Sequence, residues 1–334
     1  MRVELALERI AIGFNPTISG REAGEYAQAA EEHGYEAFWL HEHPFIKDAV
    51  TLLSSASATT SKIKLCSGCV SVVTRHPLLA TTTFLSLNEM SAGRVIMGVG
   101  LGGFPWLPKL NVNVFPVKET RPLKRIQEFL TITNGLLNGD AVSLNGEFFK
   151  VVDIKLETKP SRKFPIYLAA FGPLSLRMAP KLVDGVVISP ALMTPEVTGQ
   201  KIGFVREGER GGKRVDVASY ILTAVSSDVQ QARNLMKSYY FLLYQVAEVL
   251  KPEIFEPYGL KEKDLEPIKE AWRKRDFAAA AKVMPDGVVD ALTLTGSADH
   301  CVERLKDYRK AGVELPIIMP IGDVNAAMRA FAAT

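Results

Sequence analysis

The sequence predicts an α/β protein, a (β/α)8 TIM barrel with a helical insertion after strand seven. Three observations predict it. Short apolar runs rich in β-branched residues alternate with helical patterns through most of the 334 residues. The runs are apolar throughout rather than alternating, as in parallel strands covered on both faces, and a helix that can serve as the crossover follows each closely. The first βα turn, residues 15–20, lacks the G-x-G-x-x-G fingerprint that a doubly wound dinucleotide-binding sheet places there.

Residues 10–14 read as strand one, ended by Asn15-Pro16. Ser19 and Glu22 have capping-box spacing, and the helix 21–33 that follows stops at Gly34. Strand two, 37–40, runs straight into His41-Glu42-His43-Pro44, with a helix over 50–60 behind it. Strand three, 63–70, is interrupted by Gly68, the mark of a bulge or a close backbone approach. Thr74-Arg75-His76-Pro77 then open the helix 78–90. Ala92-Gly93 turns the chain into strand four, 94–99, which ends in Gly98-Val99-Gly100-Leu101-Gly102-Gly103.

The middle is longer. Residues 104–119 form a loop rich in Pro and Asn, and 120–137 a helix with Arg121 and Glu128 on its polar side. Asn145-Gly146 between β-type residues signals a hairpin over 142–152, outside the main sheet. Strand five, 165–170, leads into Phe171-Gly172-Pro173 and the helix 174–182; strand six is 185–189, its helix 195–209, and strand seven 217–225. Residues 227–284 are mostly helical, too long for one crossover, and form an insertion reaching about residue 290. Its aromatics Tyr239, Tyr240, Phe241 and Tyr244 read as core. The helix 297–311, strand eight (315–321) and a last helix (323–332) complete a single domain over 1–334.

Composition narrows the function. A hydrophobic content of 47% suits a sizeable core, and a net charge of +3 with scattered basic residues excludes nucleic acid as the partner. No signal-peptide pattern opens the chain and no apolar run is long enough to span a bilayer, so a cytoplasmic protein acting on a small molecule is expected. Three cysteines exclude a disulfide framework. Cys66 and Cys69 form a Cys-x-x-Cys, but inside a strand and without a second pair to complete a zinc site, so they read as structural.

In a barrel the residues after each strand converge on one face. Here they are Asn15, His41 to His43, 68–76, Gly100 to Gly103, Phe171 to Pro173, 189–194, Ser226-Ser227 and Gly322-Asp323, a set rich in glycine and poor in carboxylates. Glycines 100, 102, 103 and 172 suit a phosphate or a flavin, which asks for exposed backbone N–H groups. His41-x-His43 admits a metal, a cofactor contact, a proton-handling role or a structural one. Arg75 and His76 are either a charged first turn or a contact for an anionic cofactor tail or substrate carboxylate. Glu8, Glu25, Glu36 and Glu128 read as solvated or structural.

Several blocks together resemble the bacterial-luciferase-like superfamily. They are Trp39 through His43; Ser61-Lys62-Ile63-Lys64-Leu65 with Gly68 and Thr74-Arg75-His76-Pro77-Leu78; Ser91-Ala92-Gly93-Arg94 with the Gly98–Gly102 turn; Pro165 through Pro173; and Gly296-Ser297-Ala298-Asp299 through Ala311-Gly312-Val313 to Pro320-Ile321-Gly322. More closely, they resemble the coenzyme F420-dependent methylenetetrahydromethanopterin reductases. The resemblance implies F420 on the C-terminal face of the barrel and a non-prolyl cis peptide at Gly68–Cys69 backing one face of the deazaflavin. Val70, Gly100, Gly102, His41 and Arg75 would join that cofactor site, with Ala170, Phe171, Gly172 and Pro173 at the phosphate end, although Phe171 departs from the family's commoner polar residue. His43 matches the family's histidine after strand two, Glu42 replaces the usual Asp, and one of the two would shuttle the proton. The implied reaction is hydride transfer between C5 of the deazaflavin and a small electrophile, in a homodimer or larger assembly. Gly13 and Gly103 stand where the reductases carry carboxylates linked to the pterin, which points to a different substrate. FMN-dependent monooxygenation on the same fold, a metal-dependent hydrolase using His41 and His43, and cofactor binding without turnover are the alternatives.

Overall fold

The structure, a computed structural model, describes residues 9–102, 120–158, 160, 162–188 and 192–332. The chain groups into two compact units. One holds Gly13–Val187 with Phe204–Asp216, the other Met1–Ile12, Ile188–Gly203 and Val217–Thr334. The fold is the parallel (β/α)8 barrel.

β1 (Ala11–Phe14) leads to α1 (Gly20–Glu32), whose Ser19 and Glu22 form the expected capping box. β2 (Ala37–Leu40) is buried at every position, and α2 (Ala49–Thr59) follows with Asp48 as its cap. The third strand is not continuous. β3 (Lys64–Ser67) and β4 (Val70–Ser71) are separated by the Gly68–Cys69 peptide, which is cis, as the resemblance implied. α3 (Pro77–Met90) starts on Pro77, with His76 Nδ1 accepting the Leu78 N–H at 3.2 Å. Proline at the first helical position is pre-set for the turn and gives up a donor that would have no partner there.

β5 (Val95–Gly100) is buried throughout. α4 (Pro122–Asn138) then precedes the hairpin of β6 (Val142–Asn145) and β7 (Lys150–Ile154). Glu128 corrects the reading of α4's polar side. It is 2% exposed, and its carboxylate accepts the N–H groups of Glu147, Phe148 and Phe149, capping the hairpin loop. β8 (Ile166–Ala170), the short α5 (Pro173–Met178) and β9 (Gly185–Ile188) follow.

Next come α6 (Pro195–Glu209) and β10 (Asp216–Val225). From here to β11 (Leu294–Gly296) the chain is helical: α7 (Val229–Lys237), α8 (Tyr240–Tyr244) and its π-helical continuation to Val249, a 3-10 stretch over Pro252–Tyr258, α9 (Glu262–Arg273), α10 (Phe277–Val283) and α11 (Asp286–Leu292). These helices have their own core, in which Met236, Leu242, Val246, Phe255, Leu265 and Ile268 are buried. Tyr240 departs from the core expected for the aromatics: it is 57% exposed and packs its ring on Trp272 and Phe277. α12 (Ala298–Lys310), β12 (Leu315–Pro320) and α13 (Val324–Ala330) end the described chain.

The main sheet runs β11-β10-β12-β1-β2-β3-β5-β8-β9, and β9 also pairs with β10. The eight expected strands correspond to β1, β2, β3 with β4, β5, β8, β9, β10 and β12. β11 is an addition, lying parallel to the last residues of β10. Parallel registers such as Trp39↔Cys66 and Leu65↔Val95 put the ends of β2, β4 and β5 side by side, which is what brings residues distant in sequence together.

Candidate active site

At the end of β2 the chain passes from Leu40, fully buried, to three titratable residues in a row. His41 points inward. Its Nδ1 lies 3.2 Å from Asn15 Oδ1, and burial pushes the imidazole down to about 4. It is a neutral side chain at pH 7. His43 is only half-buried, with its edge towards Phe45 and its Nδ1 facing the Phe45 N–H at 3.4 Å. Partial burial lowers its pKa as well, against a smaller opposing backbone hydrogen bond. The two imidazoles therefore differ in environment. Among the described residues no group of three His, Cys, Asp or Glu side chains is placed to hold a metal ion.

Glu42 lies between the two histidines and turns to the third strand. It accepts the Ser71 N–H at 2.9 Å on one oxygen and the Arg75 guanidinium on the other, Nε at 2.7 Å and Nη2 closer still. Arg75 Nη2 also donates to Asp48 Oδ2, and Asp48 Oδ1 caps α2 by accepting the Thr51 N–H at 2.7 Å. The Arg75 side chain is 20% exposed and that of Glu42 11%. Arg75, expected as a charged first turn or as a contact for an anionic tail or substrate carboxylate, places its guanidinium on two carboxylates. Glu42, expected to share proton transfer with His43, has both its oxygens engaged by donors. His76, the other rim candidate, caps α3 and meets Phe149 edge-on at 5.9 Å.

The glycines after strand four also have a packing explanation. A Cβ on Gly98 would stand 1.9 Å from Ser67 O, and one on Gly100 would stand 2.5 Å from Cys69 Sγ. Ser67 Oγ bridges the Gly98 N–H and C=O at 2.9 Å each. Ser71 Oγ donates to Leu101 O at 2.6 Å and accepts the Val73 N–H at 3.1 Å. Gly102 has φ +90°, and a Cβ there would press on Ser71 Oγ at 2.9 Å. These glycines let the broken third strand lie against β5. Cys69 touches the same cluster. Burial, then the Glu42 charge, push its thiol up to about 12, and burial also raises Cys66, which disfavours the thiolate that redox chemistry requires.

β8 ends on Ala170, which is buried, and Phe171 emerges 47% exposed. Gly172 caps α5 through its carbonyl, which accepts the Ser175 hydroxyl at 2.8 Å and the Leu176 N–H. A Cβ on Gly172 would meet only Ser175 Oγ at 3.8 Å, so this turn has room beside it. Gly103, the 104–119 loop and residues 189–191 lie outside the described residues. Sequence reasoning missed Asp48 and Ser71. Asp48 carried a signal, since an Asp three residues before Thr51 at a helix start is a cap pattern; its bond to Arg75 carried none.

Residues 5–315 match the family model described as luciferase-like monooxygenase. The chain belongs to that family. A 5,10-methylenetetrahydromethanopterin reductase of Archaeoglobus fulgidus is 29% identical over 94% of each chain. One of Methanopyrus kandleri is 28% identical over 88% of each. The solved structure of the coenzyme F420-dependent tetrahydromethanopterin reductase from Methanopyrus kandleri superposes with a TM-score of 0.86, covering 97% of both chains at 24% identity, and shares the fold. The protein is an oxidoreductase of this fold. No helix among the described residues is long and apolar enough to cross a membrane.

Proposed function

We propose that the protein is a coenzyme F420-dependent oxidoreductase moving a hydride between the deazaflavin and an electrophilic carbon of a small molecule. Methylenetetrahydromethanopterin is a candidate substrate through the likeness to reductases of that name. The observation that carries the reading is the half-exposed His43 at the end of β2, beside a Glu42 bound to the broken third strand. The full-length likeness to reductases of that name supports it.

The residues present fit such a group. The small backbone positions 68–70 with Gly100 and Gly102 would back its ring, next to the inward-facing His41. Ala170, Phe171, Gly172 and Pro173 would hold its phosphate end, where Gly172 leaves room. F420, when bound, supplies or accepts a hydride at its C5. The chain supplies orientation, dehydration and a proton. His43, its pKa lowered by partial burial, is neutral at pH 7 and takes a proton from the substrate heteroatom, or returns one in the reverse direction. Phe45 and Ile46, 54% and 43% exposed, stand next along the same loop and offer apolar surface that displaces water. Gly13 lies in β1 without a carboxylate, which favours a small substrate other than the pterin. A cytoplasmic homo-oligomer completes the proposal.

Equilibrium dialysis of the protein against F420 and, separately, against FMN tests the reading. Retention of F420 with none of FMN is expected. Retention of FMN alone overturns it in favour of FMN-dependent monooxygenation. Retention of F420 without hydride transfer to any of a panel of imines, aldehydes and ketones leaves a binding protein without turnover.

A further inference from the structure

The loop from Glu42 to Asp48 carries His43, Phe45 and Ile46, and both its ends meet one guanidinium. Glu42 opens the loop and receives Arg75 Nε and Nη2; Asp48 closes it and receives Arg75 Nη2. Inside the loop the main chain makes a single turn, the Ile46 N–H donating to His43 O at 3.0 Å. Lys47 Nζ ties the outer side to the carbonyls of Thr17 and Ile18 at 2.9 and 3.0 Å. Arg75 itself follows the broken strand, its N–H donating to Ser71 O at 3.2 Å while Glu42 takes the Ser71 N–H. The guanidinium is thus fixed to one element and closes the ends of another.

We propose that Arg75 is a positioning residue that buckles the 42–48 loop, so that His43 and the exposed Phe45-Ile46 pair are presented in one fixed geometry to the substrate. Geometry accounts for the choice of arginine. Its planar fork of donors reaches two carboxylates from one side chain, whereas an ammonium on a flexible stem acts as a point charge. Two carboxylates on one half-buried cation also leave little free charge for an incoming anion. The site's selectivity then falls on the apolar pair beside His43, which suits a small electrophile reduced at an uncharged, largely apolar portion. This part rests on the reading of the protein as an F420-dependent oxidoreductase; the buckle itself does not.

The test compares wild type, Arg75→Lys and Arg75→Ala by three measurements: amide hydrogen exchange of residues 42–48, thermal unfolding, and the dissociation constant for F420 by equilibrium dialysis. Exchange of the Phe45 to Asp48 amides is expected to rise at least tenfold in both variants. Methylguanidinium should restore protection in Arg75→Ala and have no effect on wild type, a rescue that general loosening of the fold would not show. F420 affinity should change less than threefold. Unchanged exchange overturns the proposal, and so does a tenfold loss of F420 affinity with the loop still protected, which would make Arg75 a direct contact for the anionic tail. If wild type binds no F420, the functional reading falls while exchange and rescue still decide the buckle. Given F420 binding, the substrate class is decided by kcat/KM for neutral alkyl ketones against sugar phosphates. A tenfold preference for the ketones that Phe45→Ser removes is expected; a preference for the phosphates overturns it.

Discussion

The stretch 61–75 is anchored by a glutamate at each end, and the two anchors are built differently. At its start Glu31, from the last turn of α1, accepts the N–H groups of Ser61, Lys62 and Ile63 at 3.0, 2.5 and 2.7 Å and the Ser61 hydroxyl at 3.2 Å. At its end Glu42 accepts one N–H and shares its other oxygen with Arg75. The first carboxylate closes on backbone donors that have left the helix before β3 begins. Burial raises its pKa, and the hydrogen bonds from Ile63, Lys62 and Ser61 outweigh that and hold it low. The second engages a cation that is itself shared, so whatever moves Glu42 moves the loop on the other side of Arg75. One residue type thus does two jobs. Glu31 fixes where the strand starts, and Glu42 couples where it ends to the loop that carries His43.

The contrast depends on the middle of the stretch being held firmly against β5, and the largest expected effect comes from breaking that. Gly98→Ala forces a methyl to 1.9 Å from a backbone carbonyl that has no flexible end to yield. The expected cost is about 3 kcal/mol or more, by backbone displacement and overpacking. Urea unfolding measures it, and a variant within 1 kcal/mol of wild type, an order-of-magnitude bound, would mean that β3 and β5 can part without loss. Glu31→Ala comes next. It leaves three N–H groups to find water, and about 2 kcal/mol is expected, at the scale of hydrogen bonds to a charged acceptor. Exchange of residues 42–48 and F420 binding should stay at wild-type values, because nothing in this anchor reaches the loop.

Acid separates the ends differently. The folded pKa of His41 is depressed to about 4 from the ordinary 6.5, so the unfolded chain takes up a proton that the folded one refuses. Stability from this group is full above the unfolded pKa and falls as pH drops from 6.5 towards 4, by about 2 kcal/mol between pH 6.5 and 4.5. His43, lowered in the same direction, adds to the slope. The Glu31 anchor behaves oppositely in range. Its carboxylate pKa is depressed, so its contribution persists through that window and fails only in stronger acid. Urea unfolding at several pH values should therefore show a His41→Asn variant with a flatter profile between 6.5 and 4.5. An unchanged slope would place the proton uptake elsewhere.

Why was so much of the fold legible and so little of this contrast? The eight strands were read because burial on both faces leaves a continuous apolar run, and that is a local property. Ser19 with Glu22, Gly34 and Asn145-Gly146 mark helix and hairpin ends within a few residues, and the structure puts the ends there. The anchors are tertiary. Glu31 and the amides it binds are about one βα unit apart, and Glu42 and Arg75 likewise, so no periodicity or spacing connects them. Charge type without a partner leaves Arg75 between a surface turn and an anion contact, and Glu128 between solvent and structure. The glycines were read for what they offer a ligand, while the positions at 98 and 100 are set by what they must not touch. The barrel register brings His43 and the 68–70 break to one face, and the family resemblance gives them a shared cofactor.

The smallest stability effect should be the most informative about the second anchor. Glu42→Gln keeps the size and one acceptor, so the Ser71 N–H or the guanidinium retains a partner, while the carboxylate charge is lost. The Arg75 and Glu42 side chains are 20% and 11% exposed and keep hydrogen-bond partners, so the expected cost is about 1 kcal/mol, below that of Glu31→Ala. The loss of charge leaves Arg75 held mainly by Asp48, at the other end of the loop. Protection of residues 42–48 should then fall several-fold, and hydride transfer from reduced F420 should fall in kcat more than it rises in KM, because His43 is misplaced rather than removed. Combining Glu42→Gln with Arg75→Lys should add little beyond the larger single effect, as expected for two halves of one contact. If Glu42→Gln instead costs as much stability as Glu31→Ala and leaves the loop protected, the two glutamates are equivalent anchors of the strand, and the coupling to His43 runs through some other contact.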